Sequence, residues 1–166
     1  MNEVQWKRWL SRHSEEVLKG IGVGENCVVL DFGCGSGAYA IPAARLAGNA
    51  GKVYALDKNK AALGRLGRKA LKEGLRNIET ILSSDMDTGL RDECVDAVLL
   101  HDVIHLIDER AALFGEMYRV LKPDGLVSMY PMHVDNDEVY LLNNWGKPAQ
   151  APVSGAFSPR NIEMIR

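Results

Sequence analysis

A short apolar run that breaks abruptly into glycines leaves this chain few ways to fold. From Cys27 to Phe32 the residues are nearly all apolar and rich in Val and Leu, and Gly33-Cys-Gly-Ser-Gly37 follows at once. A run of that kind reads as a strand buried on both faces of a parallel sheet. Gly33, Gly35 and Gly37 permit positive φ and let a ligand approach bare backbone. The small residues from Tyr39 to Ala47 read as a helix, with Pro42 tolerable only in its first turn. Strand, glycine turn and helix in that order open an α/β sheet, and ligands bind such sheets beyond the carboxyl ends of the strands.

The alternation continues. Lys52 to Leu56 reads as a second strand ending at Asp57, and Lys60 to Glu73 as a helix stopped by Gly74. Ile78 to Leu82 reads as a third strand ending near Asp85, and Val95 to Leu100 as a fourth. Asp108 to Leu121 reads as a helix with Asp108 as its N-cap, Lys122-Pro-Asp-Gly125 as a turn, and Leu126 to Tyr130 as a fifth strand. The expected fold is α/β, a doubly wound, mostly parallel sheet in the order 3-2-1-4-5.

A length of 166 residues suits a single domain 1–166. Within it we read an N-terminal helical segment (1–24), a cofactor-binding core (25–131) and an irregular tail (132–166). Val139 to Leu142 fits a strand or a helix turn, and Ser158-Pro159 fits a helix start. Prolines at 131, 148, 152 and 159 argue against interior strands in the tail. We therefore expect the C-terminal strands to be missing and the fifth strand to be an edge. A covering segment or a second copy of the chain, giving a homodimer, would blunt that edge.

Composition removes several alternatives. Net charge is −2 and the basic residues are not concentrated, which argues against a nucleic-acid partner. No window approaches the roughly 20 apolar residues of a membrane span, and the N-terminus lacks the apolar core of a signal peptide. Three widely spaced cysteines make neither a metal site nor a disulfide frame, so the expected location is the reducing cytoplasm. His101, Asp102 and His105 cross a strand end and a loop, a placement that does not imply metal geometry, and no metal is expected.

Two cofactor readings compete at the glycine turn. Gly33-Cys-Gly-Ser-Gly-Ala38 satisfies the dinucleotide pattern, with Asp57 about 20 residues on to accept ribose hydroxyls. That pattern alone does not separate NAD from S-adenosylmethionine. Asp31, inside the strand end, is unfavourable beside a pyrophosphate but suited to a ligand carrying an ammonium and a sulfonium. Asp85 can accept from an adenine amine and Met86 can pack on the ring.

The run VVLDFGCGSGAYA at 28–40 resembles motif I of class I S-adenosylmethionine-dependent methyltransferases. GKVYALDKNKAAL at 51–63, SSDMDTGLRDECVDAVLLHDVIHLID at 83–108 and EMYRVLKPDGLVSMY at 116–130 are similar to the later strands and loops of that family. The nearest likeness is to its ubiquinone and menaquinone biosynthesis group. The resemblance implies a Rossmann-like methyltransferase fold and methyl transfer from S-adenosylmethionine to a small-molecule acceptor, leaving S-adenosylhomocysteine. It places Gly33, Cys34, Gly35 and Gly37 under the methionine and ribose, Asp31 near the amine, and Asp57 on the ribose. It places Lys58 beside the adenosine, Asp85 and Met86 at the adenine, and His101 beside the methionine. The cofactor is already activated, so no catalytic residue is assigned. Two other readings stand beside this one: a cofactor-binding module without activity of its own, and an NAD-linked oxidoreductase.

Overall fold

In the structure, a computed structural model that describes residues 3–130, 140–143 and 147–148, the alternating runs assemble around the strand that precedes the glycines. The elements are α1 (Glu3–Gly20), β1 (Val28–Phe32), α2 (Ala40–Ala47), β2 (Lys52–Asp57), α3 (Lys60–Lys72), β3 (Ile78–Leu82) and β4 (Val95–His101). A 3-10 turn at Ile104–Leu106 precedes α4 (Arg110–Val120), β5 (Leu121–Tyr130), β6 (Tyr140–Asn143) and β7 (Lys147–Pro148). The sheet order is β3-β2-β1-β4-β5-β6-β7, and the first five strands are parallel.

Alternation along β1 builds two cores. Val29 points into one, with Ala55 and Leu99, under Val17 and Leu18 of α1, the alanines of α2 and Leu66 of α3. Leu30 and Phe32 point into the other, with Leu100 and Val127, under Leu113, Met117 and Val120 of α4. A fully buried side chain of this size contributes about 1.5–3 kcal/mol, so both faces of the sheet are closed by apolar packing. Helix α3 starts at Asn59, whose side chain accepts from the N–H groups of Ala61 and Ala62, and the chain turns at Gly74 with φ +71°.

Three expectations are corrected. The sheet does not stop at β5: β6 pairs antiparallel with β5 and β7 with β6. Tyr140–Asn143 contains no proline, and Pro148 lies in the two-residue outermost strand, an edge position that tolerates proline. β5 is therefore not an edge, and the homodimer argument built on that edge falls.

The turn at 122–125 lies inside β5. Val95 pairs with Leu121 and Ala97 with Leu126, so Lys122 to Gly125 are looped out of the ladder. Opposite them, Asp96 pairs with Lys122 Nζ at 2.8 Å and accepts from the Val28 N–H at 2.8 Å. Finally, Asp108 is not the cap of α4. Glu109 takes that place without a side-chain bond, and Arg110 N–H donates to the Asp108 carbonyl. In α1, Trp9 stacks on His13 at 4.4 Å. The Trp6 side chain and the helix start at Ser158-Pro159 lie outside the described residues.

Candidate cofactor site

The parallel strands bring the ends of β1, β2, β3 and β4 to one rim. The glycine turn hangs from β2: the N–H groups of Gly33 and Cys34 both donate to the Leu56 carbonyl, at 2.8 and 3.0 Å. Gly33 has φ +77°, and a Cβ there would lie 2.4 Å from Val103 Cγ2, so the loop after β4 presses directly on the turn. Gly35 has φ +53°, and a Cβ there would meet nothing within 4 Å. Positive φ is needed at both; open space adjoins only the second.

Asp57 ends β2. Its Oδ2 accepts the Gly35 N–H at 2.7 Å and its Oδ1 the Asn59 N–H at 2.7 Å. A carboxylate has about four acceptor positions, so the two backbone bonds fix its orientation and leave capacity for a ligand. In front of it lies a cavity of about 390 Å³, within the range of small-molecule sites. Gly33, Asp57, Lys58, Asp85 and Met86 line this cavity together, as do Asn59, Asp102, Val103 and Ile107. The Ser83 hydroxyl accepts the Asp85 N–H at 3.1 Å and braces that loop.

Asp31, Cys34, Gly35, Gly37 and His101 are not in that lining. Cys34 packs into the core under α1 and α2, and burial together with Asp31 and Asp57 pushes its thiol up, so the thiol is inert at neutral pH. Asp31 is 2% exposed, opposite Ala55 of β2 and Leu99 of β4. A hydrogen bond from the Ala40 N–H reaches its carboxyl, yet Oδ2 has no hydrogen-bond partner among the described residues. Burial, reinforced by the Asp57 charge, pushes its pKa up to about 7.

His101 is 4% exposed. Its Nε2 meets the Ser128 hydroxyl at 2.8 Å, and the Tyr39 ring stands edge-on at 4.4 Å. Burial lowers its pKa to about 3, so the imidazole is neutral.

The sequence assigned no site role to Tyr39, Ser128 or Asp102. Ser128 carried a signal, being a polar residue inside the apolar run 126–129. Tyr39 carried none, because its contact with His101 spans 62 positions. Asp102, set aside in the sequence as a metal ligand, lines the cavity in a left-handed conformation at φ +59°. Among the described residues no group of three or more His, Cys, Asp or Glu is placed to hold a metal ion. No helix among them is long and apolar enough to cross a membrane.

Known proteins share this arrangement. A methyltransferase-domain family matches residues 30–129. A sterol 24-C-methyltransferase of Gibberella zeae is 30% identical over 135 residues, covering 78% of this chain and 35% of that protein. A demethylmenaquinone methyltransferase of a Geobacillus species is 31% identical over 128 residues, covering 76% and 54%. The chain thus spans about half or less of the length of these curated relatives. The crystal structure of a SAM-dependent methyltransferase from Aquifex aeolicus superposes with a TM-score of 0.68 at 30% identity, covering 78% of this chain and 72% of that one.

Proposed function

Since the chain belongs to the methyltransferase-domain family, in the class I S-adenosylmethionine-dependent group, we propose that it binds S-adenosylmethionine across the ends of β1, β2, β3 and β4 and methylates a small-molecule acceptor. The observation that carries this reading is a pair of neighbouring carboxyl groups at the strand ends. Asp57 is fixed as an acceptor beside the open space at Gly35, and Asp31, within its electrostatic reach, keeps a buried, unpartnered oxygen. A diol matches the first and an ammonium the second, whereas a pyrophosphate offers no cation to the second.

In this reading Asp57 takes the ribose hydroxyls, with Lys58 beside the adenosine. Asp85 accepts from the adenine amine, and Met86 packs on the ring. Gly33, Cys34, Gly35 and Gly37 pass under the ligand, and Asp31 with His101 borders the methionine end. When bound, the cofactor supplies an activated methyl group on a sulfonium. The chain's own contribution is to hold the donor in line with the acceptor and keep water out, and such positioning is worth about 7–11 kcal/mol. No general base is assigned, because none is needed where the acceptor attacks without early proton loss. Residence in the cytoplasm, where Cys27, Cys34 and Cys94 stay free thiols, belongs to the same proposal.

Titration calorimetry with S-adenosylmethionine, S-adenosylhomocysteine and NAD tests the reading. The first two are expected to bind and NAD is not; NAD binding at comparable affinity would overturn it. Methyl transfer to a panel of small-molecule acceptors then tests the activity itself.

A further inference from the structure

Asp31 Oδ2 and His101 Nδ1 are both buried without a hydrogen-bond partner among the described residues. They belong to neighbouring central strands, at the end of the sheet where the glycine turn begins. The ionisable groups that interact with Asp31 are Asp57 from β2, Cys34 from the turn and Tyr39 ahead of α2, and beyond Tyr39 lie His101 and Asp102 at the end of β4. None of them is cationic. Burial keeps the Cys34 thiol and the Tyr39 phenol protonated and the His101 imidazole neutral, and the two remaining groups are carboxyls. Among the described residues no Lys or Arg forms an ion pair with Asp31.

A carboxyl group buried among neutral and acidic neighbours keeps its proton, and one that meets a cation gives it up. We propose that seating a cationic ligand against the end of β1 expels the proton of Asp31, so that cofactor binding and ionisation of Asp31 are one coupled event. The proposal rests on the S-adenosylmethionine reading above. In the step the O–H bond of Asp31 breaks, the proton leaves to solvent, and the ligand ammonium donates a hydrogen bond to the freed oxygen. Nothing is oxidised or reduced.

Burial and Asp57 put the pKa of the free site at about 7. The exchange therefore falls at and below neutrality, where an α-amino group, with a usual pKa of about 7.7–8.0, still carries its own proton. The device selects for charge: a ligand with the adenosine half alone has nothing to replace the proton.

Calorimetry at pH 6 in two buffers of different ionisation enthalpy reads the released proton directly. S-adenosylmethionine is expected to release about 0.9 proton per molecule bound, and its Kd to be about fivefold weaker at pH 6 than at pH 7. Methylthioadenosine, which has no α-amino group and no sulfonium, is expected to bind with less than about 0.2 proton released. Asp31→Asn should abolish the release and flatten the pH dependence. If that variant does not fold, the two ligands on the unaltered protein decide the matter. Binding of S-adenosylmethionine without proton release, or equal release with methylthioadenosine, overturns the coupling and leaves the cofactor reading standing. Failure of S-adenosylmethionine to bind at either pH overturns both.

Discussion

Asp57 ends β2 and Asp31 lies one residue before the end of the adjacent β1; they have the same chemistry, but the fold treats them oppositely. Asp57 is half-buried and receives two backbone N–H groups at 2.7 Å, one from the glycine turn and one from the start of α3. Asp31 is buried beneath the same turn, with one oxygen unpartnered and a second carboxylate nearby. The first is an acceptor completed by the protein before any ligand arrives. The second is a group whose ionisation only the Ala40 N–H favours, against burial and the Asp57 charge. Two neighbouring strand ends can thus carry the same residue type in opposite states, differing in which backbone donors the fold turns toward each.

The largest expected effect separates the two carboxyls by stability. The folded-state pKa of Asp31 is raised from the ordinary 3.8 to about 7. The folded protein therefore holds this proton more tightly than the unfolded chain. Stability from this group is fully present below the ordinary carboxyl range and is lost as pH rises toward 7. A rise of that size corresponds to about 4 kcal/mol. Asp31→Asn should remove this dependence, so the difference in unfolding free energy between variant and parent should grow in the variant's favour from pH 4 to 7. Denaturation curves across that range check it; parallel curves would mean that Asp31 is compensated.

A smaller effect is expected in binding. Asp57→Ala should weaken S-adenosylmethionine binding by about 1.5–3 kcal/mol, the range for hydrogen bonds to a charged group, or about tenfold to a hundredfold in Kd. Asp85→Ala, on an exposed loop, should cost less than about 1 kcal/mol. Equal losses, measured by calorimetry, would dissolve the contrast between a braced acceptor and a loop carboxylate.

The smallest effect sharpens the contrast at the turn between the acids. Gly35→Ala meets no neighbour and adds only the conformational strain of φ +53°, about 1–2 kcal/mol of stability. Its effect on cofactor affinity should exceed that stability loss, because the new methyl enters space we assign to the ligand. Thermal melts with and without S-adenosylmethionine read both quantities; unchanged affinity would remove the ligand from above Gly35.

Periodicity and punctuation alone determined the five parallel-type strands and the glycine turn, and their order followed from the fold that the motifs resemble. Buried parallel strands are continuous apolar runs, and glycine and proline mark where such runs must stop. The acids at 31, 57 and 85 were legible for the same reason, since a charge at the end of an apolar strand stands out. The tertiary structure alone decided which of those acids is braced and which is left bare, that Tyr39 and Ser128 close on His101, and that Asp102 enters the cavity wall. It also decided that the sheet continues past β5, because proline forbids only a paired N–H and Pro148 falls in the outermost strand. Those outcomes rest on contacts between residues far apart in the chain, and on which face of an element meets a neighbour. A pattern read along the sequence holds neither until the strands are side by side.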